Sequence, residues 1–348
     1  MSDTTETTFP VTNLGLDVGN SDTKSFHTTT PSGFASYPIK PYGINEFLFY
    51  EGRFYVPNSE RFPYIADKTT SENAFILSLF GIAKEILYRA ENTHKMNGLK
   101  KNNTNFNEET NSVQAIINQI CKFNLGIGLP PTHYASLCEK NLTYYKQHFE
   151  KPVEFIYNDY SFKLKLNLCE CYPQGLAAVM AHSANEGNKD SVVNYPSYIA
   201  VDIGGWTVDI VTFINGELDN EKCDSKPLGV LKMYDTLLRK LEMETGKRYQ
   251  KDIIECVLRD TPTIIEEDHK QIILTFAKEW LYRIISELSQ FGVDFDTYPV
   301  VFIGGGSLLF KKFIDNDLSI KKYEYIEDPH SNAKGYELLL ELMTTQTA

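Results

Sequence analysis

The chain alternates between blocks of apolar and polar positions whose period changes along its length. Residues 11–18 form the first apolar run and read as a buried strand, and residues 23–29 and 34–41, separated by Pro31-Ser-Gly33, predict further strands of a meander. Helical spacing follows over 72–88, where Phe75, Leu77, Leu79, Ile82, Ile86 and Leu87 supply the apolar side. Residues 92–112 are rich in Asn, Lys, Thr and Glu and poor in apolar side chains, which predicts a mobile surface loop or insertion. A strand over 121–129 ends at Pro130-Pro131, and a helix over 137–149 follows. The alternation in Phe162-Lys-Leu-Lys-Leu-Asn-Leu168 predicts a hairpin of 153–157 with 162–169, and 173–184 reads as a proline-started helix.

The polar stretch 185–197 marks a boundary, after which the opening pattern returns. Tyr198-Ile-Ala-Val-Asp202-Ile-Gly-Gly-Trp-Thr-Val-Asp209-Ile-Val-Thr-Phe213 leads into the hairpin signal Asn215-Gly216. Leu14-Gly-Leu-Asp17-Val-Gly-Asn-Ser-Asp-Thr-Lys24 has the same grammar: strand, Asp, apolar residue, Gly, polar turn, strand. The chain therefore reads as a diverged internal duplication. Helices over 230–244 and 267–290 precede an apolar strand, 300–303, that runs into Gly304-Gly305-Gly306, and a closing helix covers about 332–343.

At 348 residues the chain exceeds the size of a single hydrophobic core, so two lobes are expected. A net charge of −12 disfavours direct nucleic-acid binding, which depends on Lys and Arg displacing counterions. No apolar run is long enough to span a bilayer and the first residues are polar and acidic, which predicts a cytoplasmic protein without a membrane partner. The six cysteines form no CxxC pair and the seven histidines are dispersed, so no metal site built from protein ligands alone is expected.

Two turns and one glycine run carry the candidate chemistry. A strand-to-strand turn that presents backbone amides suits anionic oxygens, and an Asp beside it suits hydrated magnesium. Asp17 and Asp202 are the candidate magnesium-side carboxylates; Gly19, Asn20, Ser21 and Lys24 serve the first turn, and Gly204, Gly205, Trp206 and Thr207 the second. Either turn alone is an ordinary tight turn. Gly304, Gly305 and Gly306 permit close backbone approach to a ligand and can open a helix whose N-terminus favours phosphate, with Ser307 near its cap. Neither GxxxxGK[ST] nor GxGxxG occurs, which removes the P-loop and Rossmann readings.

In this order, residues 14–24, 199–211 and 301–308 resemble the two phosphate motifs and the adenosine motif of the actin/hexokinase/DnaK superfamily. Glu51-Gly-Arg-Phe-Tyr-Val, Gly128-Leu-Pro-Pro131, Tyr172-Pro-Gln-Gly-Leu-Ala-Ala178 and Asp328-Pro-His-Ser-Asn-Ala-Lys-Gly-Tyr336 are similar to the ParM-like bacterial actins, so the resemblance spans about 14–340. It implies an α/β actin-like ATPase fold of two related lobes, each a mixed sheet flanked by helices, with a nucleotide cleft between them. The implied domains are a polar leader 1–11, domain I over 12–196, domain II over 197–325, and a hinge and helix over 326–348 returning to domain I. Pro173-Gln174-Gly175 and Asn332-Ala333-Lys334-Gly335-Tyr336 would be the connections.

The resemblance also implies ATP or GTP with Mg2+ as ligands. Gln174 would orient the attacking water, and Asp202 would position the magnesium shell or polarise that water. Some relatives carry Glu at the position of Gln174, and many carry a small residue at that of Trp206. The implied partners are further copies of the chain in a head-to-tail filament and a DNA-binding adaptor at a plasmid centromere. A sugar or small-metabolite kinase and a cell-shape or scaffold actin are the alternatives on the same fold.

Overall fold

Each half of the predicted repeat opens its own sheet in the computed structural model, which describes residues 11–63, 65, 67–98, 106–185, 191–316 and 320–346. The described parts of Met1–Leu129, His133–Tyr172 and Asn332–Ala348 make one unit, and Pro130–Thr132 with Pro173–Ser331 the other.

The first unit holds strands β1 (Thr12–Val18), β2 (Asp22–Lys24), β3 (Thr29–Pro31), β4 (Phe34–Tyr37), β5 (Leu48–Tyr50), β6 (Arg53–Pro57), β7 (Lys122–Leu129), β8 (Val153–Tyr157) and β9 (Tyr160–Pro173). They form one sheet in the order β3-β2-β1-β7-β9-β8-β5-β6-β4, in which β1 and β7 run parallel. Helices α1 (Glu72–Gly98), α2 (Phe106–Ile117) and α3 (Pro131–His148) belong mainly to this unit. Phe75, Leu79, Ile82 and Ile86 recur at steps of four, three and four, so they share one side of α1 and are buried in one core with Leu14 and Leu16 of β1 and Leu125 and Ile127 of β7.

The second unit contains α4 (Leu176–Asn185) and strands β10 (Tyr198–Ile203), β11 (Val208–Ile214), β12 (Glu217–Leu218), β13 (Asp224–Lys226), β14 (Val300–Ile303) and β15 (Tyr323–Ile326). Their order is β12-β11-β10-β14-β15, with β13 also paired to β11. Helices α5 (Val230–Thr245), α6 (Lys251–Leu258), α7 (Glu267–Gln290) and α8 (Gly305–Ile314) complete it. The sheet is buried on both faces: Val201, Ile203 and Phe302 share a core with Leu237, Ile273 and Phe310, whereas Ala200, Val211 and Val301 pack with Ala178 and Val179 of α4.

The duplication is visible in strand pairing. β1 has antiparallel β2 on one side and parallel β7 on the other, and β10 has antiparallel β11 and parallel β14 in the same relation.

The last helix, α9 (Ser331–Gln346), returns to the first unit, where glycine makes room for it. A β-carbon on Gly15 would stand 1.8 Å from the Ala333 carbonyl oxygen, and one on Gly128 would stand 1.9 Å from the Tyr336 hydroxyl. The Gly15 amide donates to Glu337 Oε2 at 3.2 Å, and Arg89 joins Glu337, at 2.7 Å, to Glu85, at 2.6 Å. Burial alone would raise the Glu85 carboxyl, but Arg89 and the donors Ser25 and His27 bring it below its usual range; burial holds Glu337 above its own despite Arg89.

Several expectations are corrected. The stretch 92–112 is helical at both ends, in α1 to Gly98 and in α2 from Phe106, because Val113 and Ile117 give the polar α2 a buried stripe; residues 99–105 lie outside the described residues. Helix α3 begins at Pro131 rather than 137, proline being preorganised for a first helical position. Pro173 closes β9, and α4 starts only after Gly175, whose φ is +77°. The two compact units part at Pro173 and Asn332, and α4 packs on the second sheet. Residues 1–10 of the leader lie outside the described residues. No helix among the described residues is long and apolar enough to cross a membrane.

Candidate functional site

Asp202, the penultimate residue of β10, stands directly across from Asp209 of β11 in the antiparallel register. Opposed residues project to the same sheet face with Cβ atoms about 5 Å apart. Here they are two carboxylates, only 9% and 5% exposed. Like charges held so close in a buried setting are unfavourable and call for a counter-charge. The Thr207 hydroxyl donates to Asp209 Oδ2 at 3.3 Å.

Gly204, Gly205, Trp206 and Thr207 join these strands in a turn closed by Gly204 N–H donating to the Thr207 carbonyl at 2.9 Å. The carbonyls of Gly204, Gly205 and Trp206 accept from the amides of Val230, Leu231 and Gly229 at 3.1, 2.8 and 3.0 Å. These carbonyls cap the N-terminus of α5, whose own cap residue, Gly229, has no side chain to offer. In a trans peptide the carbonyl and the following amide point in opposite directions. Fixing three carbonyls on α5 therefore turns the amides of Gly205, Trp206 and Thr207 to the other side, an arrangement suited to anionic oxygens.

The triple glycine divides its labour. Gly304 has φ +85°, and a β-carbon there would stand 2.3 Å from Asp202 Oδ1, so the glycine brings the start of α8 against that carboxylate. On Gly306 it would stand 2.5 Å from Ile203 Cγ2, a packing requirement. Around Gly305 nothing lies within 4 Å, so its open backbone at the start of α8 is accessible to a ligand. The cap position is Gly304; Ser307 lies inside α8, is fully buried and donates its hydroxyl to the Gly304 carbonyl at 2.7 Å, closing the turn.

In the first unit Asp17 stands across from Lys24 and Val18 across from Thr23. The intervening turn contains Gly19, Asn20 and Ser21, and Gly19 N–H donates to the Asp22 carbonyl at 3.1 Å. Side chains brace it. Lys68 donates to the Val18 carbonyl, Ser32 to that of Gly19 at 2.6 Å, and Arg61 to that of Ser21 at 2.5 Å and to Asp22 Oδ1 at 3.0 Å. Gln174 lies between β9 and α4, half-buried, in the second unit.

The structure thus gathers Asp202, the 204–207 turn and the glycine run in one unit, and Asp17 with its turn in the other. Sequence reasoning missed Asp209 and Gly229. Asp209 was within the quoted strand, and pairing seven residues back across a four-residue turn identifies it; Gly229 carries no local signal. Among the described residues no three His, Cys, Asp or Glu side chains gather to hold a metal.

Residues 200–316 match the family of the archaeal actin homologue MreB-like, C-terminal. No curated protein matches the chain. Among solved structures, the archaeal actin homolog Ta0583 aligns with a TM-score of 0.72 at 17% identity, covering 95% of this chain and all of that one. The chain has the actin-like fold. A second structure of that actin homolog, a complex with ADP, aligns with a TM-score of 0.65 at 18% identity over 95% of this chain and 100% of the other. A 15-stranded ParM filament from Clostridium botulinum aligns at 0.65 with 16% identity, covering 95% and 99%. Within this actin-like fold the duplicated strand pairs carry both Asp-bearing turns.

Proposed function

We propose that the chain is an ATP hydrolase that assembles head to tail into filaments and moves plasmid DNA through a DNA-binding adaptor at a centromere. The observation that carries the nucleotide reading is the buried pair Asp202 and Asp209, set beside a turn whose amides face away from α5 and against the glycine start of α8. Paired carboxylates are suited to holding magnesium, and such amides accept a polyphosphate.

The amides of Gly205, Trp206 and Thr207 would hold phosphate oxygens, and the open backbone of Gly305 would admit the nucleoside end. In the first unit Gly19, Asn20, Ser21 and Lys24 would likewise offer a phosphate-binding turn. Magnesium held by Asp202 and Asp209 would neutralise the phosphates, and Asp17, through water, is the corresponding candidate in the first unit. Gln174 has no basic form, so it would orient the attacking water while Asp202 takes its proton.

Filament assembly is supported by likeness to a ParM filament structure, and adenine nucleotide by likeness to an ADP complex. A head-to-tail contact does not close on itself, as a filament requires. The net charge of −12 favours an adaptor over direct DNA contact. Phosphate release and light scattering with magnesium ATP test the reading: wild type should hydrolyse and scatter, and Asp202→Ala should do neither. Near-wild-type turnover in Asp202→Ala removes the assigned site, and scattering that ignores ATP removes nucleotide-driven assembly.

A further inference from the structure

The amides that face a phosphate in the 204–207 turn are aimed by the carbonyls behind them, and those carbonyls rest on residues 229–231. What holds 229–231 therefore sets the geometry of the turn. The segment before α5 has no side-chain cap, and its Leu228 amide makes only a local bond to the Lys226 carbonyl, at 2.8 Å. Beyond the pairing of Lys226 with Val208, its long-range anchor is the indole of Trp280 on α7, whose Nε1 donates to the Leu228 carbonyl at 2.9 Å, both residues being buried. An indole is a donor only, and a buried carbonyl that loses its partner pays the desolvation of the group.

We propose that Trp280 is a positioning residue for phosphate binding: its indole N–H fixes Leu228, Gly229 transmits that position by contact, and the 204–207 turn is held in its phosphate-facing form. The Gly229 contact has no slack. Its backbone angles, φ −64° and ψ 164°, are open to any residue, yet a β-carbon there would stand 2.4 Å from the Gly205 carbonyl oxygen and 2.4 Å from the Trp206 carbonyl carbon. Space alone requires glycine. The inference rests on the nucleotide reading above and adds residues that touch no ligand.

Trp280→Phe keeps most of the ring volume and deletes the donor; Ile284→Ala, one turn further along α7 and buried in the same core, loosens the unit without touching the chain to the turn. Magnesium ATP affinity from a fluorescent ATP analogue, KM and kcat for phosphate release, and the melting temperature would be measured for both. Trp280→Phe should weaken ATP binding about tenfold, raising KM with kcat within about twofold of wild type, the pattern of lost uniform binding. Ile284→Ala should lower the melting temperature at least as far while keeping wild-type KM. Gly229→Ala should weaken binding more than Trp280→Phe. Wild-type KM in Trp280→Phe, or an equal rise of KM in Ile284→Ala, overturns the positioning role and leaves the nucleotide reading standing. A wild-type protein that binds no ATP overturns both.

Discussion

The two Asp-bearing turns occupy equivalent places in a duplicated pair of sheets, yet they are built differently. Across from Asp17 stands Lys24; across from Asp202 stands Asp209. The first turn is braced by the side chains of Lys68, Arg61 and Ser32 on its carbonyls, and the second by the backbone amides that open α5. The same strand pairing thus supports one turn that faces Asp with Lys and is braced by side chains, and one that faces Asp with Asp and is braced by main chain. Duplication preserved the frame and let the residue across from each Asp diverge.

Gly304→Ala should break the second turn most severely, because it combines a left-handed φ with a clash against Asp202. Strain and overpacking together should cost about 2–5 kcal/mol in denaturant unfolding, with phosphate release abolished. In the first turn Arg61→Ala removes two charge-assisted bonds, at 2.5 and 3.0 Å, and should cost about 1–2 kcal/mol. Since Arg61 is partly exposed, that loss should shrink in high salt, whereas the loss from Gly229→Ala should not.

Asp209→Asn separates the two turns by charge. The magnesium needed for half-maximal ATP binding should rise about tenfold, and Lys24→Met, which leaves both carboxylates of the second turn in place, should produce a smaller rise. The smallest effect on folding belongs to Gly305→Ala, where nothing lies within 4 Å and alanine favours a helix by about 0.5–1 kcal/mol. Its melting temperature should hold or rise while ATP affinity falls; unchanged affinity would remove Gly305 from the binding surface.

The strands and the duplication were legible because a buried strand followed by Asp, apolar residue and Gly is a local pattern. Helix α7 was legible end to end, since Ile273, Trp280 and Ile284 repeat at helical spacing. The polar α2 was not, because Val113 and Ile117 become a stripe only when α1 is there to meet them. Short strands β13 and β15 were missed for a related reason: a strand of three or four residues is defined by its neighbour rather than by its own alternation. At the site, Asp202 and the glycine run could be named from sequence, but Ser307 turned inward, and Gly229 and Trp280 make contacts that span 23 and more residues.

The seat of α9 on Gly15 sets an order of events during synthesis. The Gly15 amide and its acceptor Glu337 are 322 residues apart, whereas nearly all of the second unit is the uninterrupted stretch Pro173–Ser331. At about 5–20 residues per second on the ribosome, the earliest strand waits many seconds for its last neighbour. The later half of the nascent chain can complete its core first, and the earlier half keeps a glycine-lined apolar face uncovered until the final helix emerges.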